Sequence, residues 1–155
     1  MRSERHYPDV MGSCARELIE KTKGVLEPRN EILEAYLFGS HVRGEATAHS
    51  DIDVAVFVAA EALVREPAFG YDSHLAADLM RALKTDKVDV VVLNRASPVL
   101  YHRVLRDGER ILSRDLAATT TREGRALSRY CDYVPQLKKI DEALQRRIER
   151  GEFGR

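Results

Sequence analysis

The chain has 155 residues, a length that predicts one domain with one modest core. Its 25 Lys and Arg balance 25 Asp and Glu, and 44% of its residues are hydrophobic, a composition typical of a soluble globular protein. The neutral charge argues against a protein that binds polyanions over its whole surface, and no apolar run reaches membrane-spanning length. The charged N-terminus lacks the apolar core of a signal peptide. Cys14 and Cys131 lie far apart and are expected to be reduced thiols. Together with the lack of a signal peptide and of a membrane-spanning run, this predicts a cytoplasmic protein.

The first third of the chain predicts a helix followed by two strands. Apolar residues recur at helical spacing from about Val10 to Leu26, with Cys14 among them. Ile32–Phe38 is short and apolar, which predicts a strand. Residues 40–46 predict one helical turn capped by Ser40, and Ile52–Ala59 predicts the second strand.

The rest of the chain predicts further helices that alternate with strands. Residues 61–71 are ambiguous, with Pro67 and Gly70 indicating a loop. After them we expect, in order, a helix capped by Asp72 or Ser73, a strand over Lys87–Leu93, a helix capped by Ser97, an edge strand over Arg110–Ser113, and helices from Asp115 onward that Pro135 kinks or restarts. This alternation predicts an α/β fold, with a small mixed β-sheet flanked by helices and a helical C-terminal extension. We expect one domain over 1–155, with a core over about 30–113 and C-terminal helices over about 115–150.

An apolar stripe follows the predicted C-terminal helices. Its members are Leu127, Tyr130, Cys131, Val134, Leu137, Ile140, Leu144 and Ile148. A stripe of this kind either packs on the sheet or docks a partner. Core packing is the more conservative expectation.

Two aspartates open the second predicted strand. Side chains alternate between the faces of a strand, so Asp51 and Asp53 point to the same side. Two carboxylates on one face repel each other unless a cation lies between them. The pair therefore predicts a rigid site for a divalent metal ion.

A Gly-Ser pair ends the first predicted strand and predicts a phosphate-binding turn. Gly39 permits close approach of the backbone, and Ser40 with the following N–H groups is suited to cradle phosphates. Arg43 lies on the same short turn, where it either binds a phosphate or is a solvated surface residue. His41 and His49 flank the site without an assigned role, and Ser50 either caps a turn or orders the aspartates.

A third carboxylate lies in the otherwise apolar strand around Val88–Leu93. Asp89 is costly to bury there unless it occupies an edge, pairs with a cation such as Lys87, or binds a metal. Beside Asp51 and Asp53, it predicts a site for two Mg²⁺ ions, which prefer oxygen ligands and share their shell with substrate phosphates. In this interpretation Asp89 also helps to deprotonate the attacking hydroxyl.

The order of these motifs resembles the nucleotidyltransferase superfamily related to DNA polymerase beta. Its signature is Gly-Ser, then Asp-x-Asp after about ten residues, then a carboxylate on a later strand, as in Gly39-Ser40, Asp51-Ile52-Asp53 and Asp89. The surrounding sequences are similar to the minimal nucleotidyltransferase (MNT) branch. The similarity covers about residues 10–150, is strongest over 37–58, and includes Tyr101–Leu105, Gly108–Leu112 and Tyr130–Pro135. It implies the nucleotidyltransferase fold.

The resemblance also implies a reaction and a partner. Members of that branch are often antitoxins paired with a HEPN-domain ribonuclease toxin. The implied activity is Mg²⁺-dependent transfer of AMP from ATP to a tyrosine hydroxyl of the toxin, which neutralises it. The chain has no HEPN-like Arg-x4-6-His-x-Tyr motif of its own, so the toxin is expected to be a separate chain.

Three other functions are weighed against this one. A small-molecule nucleotidyltransferase of the aminoglycoside-modifying type would need a substrate-binding domain for which 155 residues leave little room. An antitoxin that neutralises by binding alone would not need the acidic triad. Direct binding of nucleic acid is least favoured, because no basic stripe interleaved with aromatic residues is present.

Overall fold

The computed structural model describes residues 13–47, 49–65 and 70–151. The elements in chain order are α1 (Ser13–Leu26), β1 (Ile32–Phe38), α2 (Ser40–Arg43), β2 (Ile52–Val58), α3 (Ala60–Val64), α4 (Tyr71–Leu83), β3 (Val88–Val92), a 3₁₀ turn (Leu93–Arg95), α5 (Pro98–Asp107), β4 (Glu109–Ser113) and α6 (Leu116–Glu149). Val10, Pro67 and the Cys14 side chain, which the sequence analysis discussed, lie outside the described residues.

The strands form one mixed sheet in the order β3-β2-β1-β4. The central strand β1 is antiparallel to both β2 and β4, whereas β3 lies parallel to β2 at one edge. A parallel pair needs a crossover connection, which α3 and α4 provide between β2 and β3. A small mixed sheet flanked by helices, with a long C-terminal helix, confirms the predicted fold class.

The main core lies between one face of the sheet and the helices α1 and α4. Alternate residues of β2 point into it, which is the expected consequence of a strand that buries one face. Its fully buried members from the strands and helices include Ile32, Leu37, Val54, Val56, Val58, Leu26, Leu75 and Leu79. This core holds β2 rigidly, and with it the two aspartates at its start.

The opposite face of the sheet packs against α5 and α6 through apolar and polar contacts. Apolar residues such as Tyr36, Ala55 and Val104 are buried there. Glu34 of β1 has no exposed surface, and its carboxylate accepts hydrogen bonds from Tyr101 of α5 (3.1 Å) and Arg122 of α6 (3.2 Å). One buried carboxylate therefore joins both helices to the central strand.

A second carboxylate strengthens the same contact. Glu123 of α6 accepts hydrogen bonds from the Tyr36 hydroxyl (2.8 Å) and from Arg110 of β4 (2.9 Å). The guanidinium of Arg122 also lies 4.9 Å from the centre of the Phe57 ring, within the range of a cation–π interaction. The start of α6 is thus oriented by charges as well as by apolar packing.

Several local predictions are confirmed. The first strand has the predicted bounds, and the second and third are one and two residues shorter than predicted. Ser97 caps α5 by accepting a hydrogen bond from the Leu100 amide (3.2 Å), with Pro98 as the first helical residue. Arg110–Ser113 lies within β4, which is an edge strand as expected.

Other local predictions are wrong, chiefly at helix starts. Ser40 is the first residue of α2, whose N-cap is Gly39, and its side chain makes no cap hydrogen bond. Neither Asp72 nor Ser73 caps α4, because the helix begins at Tyr71 after Gly70. In both cases the N-cap is a glycine with positive φ, and it lies one or more residues before the predicted side-chain cap.

The C-terminal helix also departs from expectation. α6 runs unbroken through Pro135, so the predicted restart does not occur. The prediction that its apolar stripe packs into the core is wrong beyond the first turns, because the side chains of Ile140, Leu144 and Ile148 are 58%, 42% and 55% exposed. Only Thr119 and Ala126 are buried in this helix among the described side chains. Within the described residues, no helix has the length and hydrophobicity needed to cross a membrane.

Candidate functional site

The three predicted carboxylates lie at one end of the sheet. Asp53 of β2 and Asp89 of β3 are direct partners in the parallel register, so both side chains point to the same face. Asp51 immediately precedes β2 and is exposed, as is Asp89, whereas Asp53 is partly buried. β3 is an edge strand, so Asp89 occupies the edge position that was one of the alternatives to metal binding.

The carboxylates act on one another electrostatically. Burial, followed by the negative charges of Asp89 and Asp51, raises the pKa of Asp53 above its ordinary value of 3.8. Electrostatic interactions with His41 and then Arg43 oppose this rise of the Asp53 pKa. A concentration of negative charge that the protein only partly compensates is a suitable environment for a cation.

Gly39 brings the backbone against the central carboxylate. Its φ is +80°, and a Cβ atom there would lie 2.0 Å from Oδ2 of Asp53, so only glycine fits. The chain then enters α2, and Gly44 ends that turn with φ +72°. The predicted Gly-Ser turn therefore lies beside Asp53, as its proposed role requires.

The loop before Asp51 is held by two of the residues to which the sequence assigned no firm role. The Ser50 hydroxyl accepts a hydrogen bond from the Thr47 amide (2.9 Å). Nε2 of His41 lies 3.2 Å from the Ser50 carbonyl oxygen and, since that oxygen can only accept, the ring nitrogen donates. His41 and Ser50 thus fasten the approach to Asp51 onto α2.

Arg43 lies at the rim of the site. It is exposed and forms an ion pair with Glu45 (2.8 Å), within electrostatic reach of Asp53 and Asp107. His49, the other flanking histidine, lies on the outer side of the loop, with Nδ1 3.4 Å from Nζ of Lys87. The structure therefore places the His41 side chain against the Ser50 carbonyl and the His49 side chain beside Lys87.

The donor set suits a hard cation that also binds the substrate. All three side chains offer oxygen ligands, the type that Mg²⁺ prefers. Among the described residues, no three His, Cys, Asp or Glu side chains converge closely enough to hold one ion by themselves. A metal ion here would complete its shell with water or substrate oxygens, which is the usual arrangement for Mg²⁺ at phosphate-transfer sites.

A cavity of about 420 Å³ opens on the same face of the sheet, between β1, β4, α5 and α6. Tyr36, Leu105, Arg106 and Leu127 are among its lining residues. Gly108 also lines it and packs closely on β1, because a Cβ there would lie 3.2 Å from Cβ of Phe38. Asp51, Asp53 and Asp89 are not among the lining residues of this cavity.

The residues that place α5 and α6 on this face were not predicted from the sequence. Glu34 lies in a strand whose pattern is otherwise apolar, and its partners follow 67 and 88 residues later. The only signal was a lone acidic residue in an apolar strand, the same signal that singled out Asp89. Without knowledge of which helix lies opposite, that signal does not distinguish a buried ion pair from a metal ligand.

The close approach of Gly39 to Asp53 leads to a prediction. Gly39→Ala should lower any catalytic activity by on the order of a hundredfold, because the new methyl group forces the Asp53 carboxylate to move by about an ångström or more. Gly124→Ala is the matched control: nothing lies within 4 Å of a Cβ there, and in a helix the change stabilises by about 0.5–1 kcal/mol. Steady-state rates alongside thermal unfolding test this, and wild-type activity in Gly39→Ala would contradict it.

The raised pKa of Asp53 leads to a second prediction, for the protein in EDTA. Between 3.8 and the higher pKa of the folded state, the native protein holds a proton that the unfolded chain has released. Raising the pH through this window therefore destabilises the fold. Asp53→Asn should unfold at a higher temperature than the wild type at neutral pH. Its stability should also fall less than that of the wild type as the pH rises through this window.

The control for this measurement is Asp132→Asn, which removes a carboxylate from an exposed position of α6. The difference between its melting temperatures at acid and at neutral pH should equal that of the wild type. Thermal melts at several pH values in EDTA measure both effects. A lower melting temperature for Asp53→Asn than for the wild type at neutral pH would contradict the prediction that the charged form of Asp53 destabilises the folded protein.

Comparison with known proteins identifies similar families and structures. The family model described as "Polymerase beta, Nucleotidyltransferase" matches residues 20–117, which include all the predicted site residues. A comparison with curated proteins finds no match.

Several solved structures are similar over most of their length. A chain of a toxin–antitoxin crystal structure with AMP-PNP is 27% identical, with 81% of this chain and 98% of that chain covered and a TM-score of 0.68. A chain of the structure of tri-AMPylated Shewanella oneidensis HEPN toxin in complex with MNT antitoxin is 25% identical, with coverages of 84% and 98% and a TM-score of 0.64. A chain of a mutant MntA-HpeT toxin–antitoxin is 30% identical, with coverages of 81% and 96% and a TM-score of 0.66. The resemblance to MNT antitoxins is confirmed.

Proposed function

Because the chain belongs to the Polymerase beta nucleotidyltransferase family, we propose that it transfers AMP from ATP to a tyrosine hydroxyl of a separate HEPN-domain ribonuclease and thereby neutralises that toxin. The observation that carries the proposal is the cluster of Asp51, Asp53 and Asp89 beside the Gly39 turn. The choice of acceptor is supported by the similarity to chains from toxin–antitoxin structures, one of which contains an AMPylated HEPN toxin.

The Gly-Ser turn receives the phosphates of ATP in this proposal. Gly39 lets the backbone lie against the substrate, and the Ser40 hydroxyl with the following amides donates hydrogen bonds to phosphate oxygens. Arg43 exchanges its exposed ion pair with Glu45 for one with a phosphate. His41 keeps the loop before Asp51 in place while the substrate binds.

Asp51, Asp53 and Asp89 would hold Mg²⁺, two ions in all, and such ions would neutralise negative charge on the reacting phosphates. Asp89, on the edge strand, is open to a tyrosine arriving from solvent and accepts its proton. The tyrosine oxygen then bonds to the α-phosphorus as the bond to the pyrophosphate oxygen breaks. The products are an AMP–tyrosine ester and pyrophosphate.

This reaction belongs to the cytoplasm, where ATP, Mg²⁺ and an intracellular ribonuclease occur together. We assign the chain to that compartment on this ground. Direct binding of nucleic acid has no part in the proposal, since the chain is neutral overall.

The experiment uses ATP labelled at one phosphorus at a time. The purified chain, Mg²⁺ and the HEPN protein encoded beside its gene are incubated with ATP labelled at either the α- or the γ-phosphate. We expect label on the HEPN protein from the α-phosphate only, and none in the presence of EDTA. Label from the γ-phosphate would instead indicate phosphoryl transfer and would overturn the proposal.

The two alternatives give different results in the same assay. A small-molecule nucleotidyltransferase would leave the HEPN protein unlabelled and would adenylylate an added aminoglycoside. An antitoxin that acts by binding alone would inhibit the ribonuclease without ATP and would do so equally well after Asp51→Asn.

A further inference from the structure

The cavity between α5 and α6 has the walls of a small-molecule site. Leu105 of α5 and Leu127 of α6 give it apolar sides, and it is also lined by His102, whose ring stacks on Tyr130 with ring centres 3.8 Å apart and planes 1° from parallel. Its volume of about 420 Å³ lies within the usual range for such sites, roughly 300–1,000 Å³. Sites of this kind combine apolar walls with a few polar groups that orient the ligand. Here one such group is the carboxylate of Glu123.

One oxygen of that carboxylate is available to a ligand. The Tyr36 hydroxyl (2.8 Å) and Arg110 (2.9 Å) both donate to Oε1 of Glu123. Within the part of the chain that the structure describes, no hydrogen bond reaches Oε2. The Glu123 side chain lines the cavity and is 24% exposed, and its ion pair with Arg110 offsets its charge. The cavity therefore suits a flat ring that carries an N–H donor at its edge.

The cavity lies on the face of the sheet to which Asp53 points. Ala55 is buried in the same cluster as Tyr36 and Phe38, and Asp53 lies two residues before Ala55 in β2, so its side chain points to that face. Phe38 is the register partner of Asp53, and Tyr36 lies two residues, or roughly 7 Å, further along β1. The ribose that separates the base of a nucleotide from its α-phosphate spans a distance of this order. A nucleotide with its α-phosphate at Asp53 can thus reach across Phe38 and place its base in the cavity.

We propose that this cavity binds the adenine base of ATP and that Oε2 of Glu123 accepts a hydrogen bond from the exocyclic amino group of that base. The inference rests on the proposed function for the identity of the nucleotide. In the strand order β3-β2-β1-β4, the base then lies toward β4, whereas the acceptor arrives at Asp89 on β3. The two substrates approach from opposite edges of the sheet, and neither blocks the other. Glu123 is in this view a residue that determines which base is accepted.

Glu123→Gln changes what the cavity offers while keeping the size of the side chain. Burial, then the charge of Glu34 and the hydrogen bond to Glu123, raise the pKa of Tyr36, so its hydroxyl stays protonated and donates. The guanidinium of Arg110 can only donate as well. These two donors hold the amide oxygen of the glutamine at the place of Oε1, which turns its NH₂ group toward the cavity. A donor then meets the amino group of adenine, and the preference for that group is lost.

The test compares ATP with purine riboside triphosphate, which lacks only the 6-amino group. Equilibrium binding to the full-length chain is measured with Mg²⁺ and without an acceptor protein, so that no transfer occurs. We expect the wild type to bind ATP about tenfold to a hundredfold more tightly, as for one hydrogen bond to a charged group. Glu123→Gln should bind the two nucleotides within about twofold of each other. Glu142→Gln makes the same change at an exposed position of the same helix and should keep the wild-type preference.

The preference is a ratio of two affinities, so a variant that is merely less stable contains less active protein without a change in that ratio. Equal binding of the two nucleotides by the wild type would overturn the inference, as would an unchanged preference in Glu123→Gln or absence of ATP binding by the wild type. Transfer to the HEPN protein is measured separately. A preference that depends on Glu123, with no label on the HEPN protein, would refute the proposed acceptor alone. Transfer that uses both nucleotides equally well would refute this inference alone.

Discussion

Asp51→Asn and Asp53→Asn are each expected to lower the rate of AMP transfer by on the order of a thousandfold, equivalent to about 4 kcal/mol of transition-state stabilisation. Both changes keep the size of the side chain and remove the charge that holds the cation. Asp53 has the largest expected effect, because it is the central carboxylate, partly buried between Gly39 and Asp89. Initial rates with labelled ATP and the HEPN protein measure the loss.

The matched control for these variants is Asp132→Asn on the exposed side of α6, which should retain wild-type activity. A loss of AMP transfer counts only if the variant protein is shown to be folded. Because burial of Asp53 and then the negative charges around it disfavour its ionised form, the two site variants should be at least as stable as the wild type in EDTA. A site variant that is folded and retains activity within a few-fold of the wild type would exclude its carboxylate from the reaction.

Glu34→Ala is expected to cause the largest loss of stability, about 3–5 kcal/mol, because it leaves the guanidinium of Arg122 largely buried without its counter-charge. For a protein of this size that loss lowers the melting temperature by roughly 10 °C. The Tyr101 hydroxyl also loses its acceptor. Burial and then the charge of Glu34 raise the pKa of Tyr101, so that this hydroxyl stays protonated and donates.

Thermal and urea unfolding measure the effect, with Glu17→Ala as the control. Glu17 forms an exposed ion pair with Lys21 (2.7 Å) on α1, and its loss should leave the melting temperature nearly unchanged. Glu34→Gln keeps an acceptor for Tyr101 and should fall between Glu34→Ala and the wild type. If Glu34→Ala unfolded at the same temperature as Glu17→Ala, the buried ion pair would not be what fastens α5 and α6 to the sheet.

The features that could be predicted from the sequence are those that depend on residues close together along the chain. The bounds of β1 and the cap of α5 by Ser97 follow from residues within a few positions of each other. The grouping of Asp51, Asp53 and Asp89 was predicted because strand alternation and the order of the motifs constrain it. Helix starts at Gly39 and Gly70 were missed because a glycine with positive φ is not visible as a cap in the sequence.

The remaining differences depend on which distant elements meet. Glu34 and Arg122 are 88 residues apart, and nothing near either residue identifies the other as its partner. The apolar stripe of α6 was expected to pack on the sheet because helical periodicity shows that a face is apolar but not what lies against it. The structure shows that the sheet is covered by the first turns of α6, which leaves the stripe from Ile140 to Ile148 exposed.

The central claim is that this acidic cluster modifies a tyrosine of a HEPN toxin, and peptide mapping of the toxin by mass spectrometry tests it most directly. The HEPN protein is co-expressed with the wild-type chain or with the Asp51→Asn, Asp53→Asn double variant. We expect one or more AMP groups on a tyrosine of the toxin with the wild type and none with the variant, together with loss of ribonuclease activity only in the modified toxin. An unmodified toxin that is fully neutralised in both cases would contradict the claim.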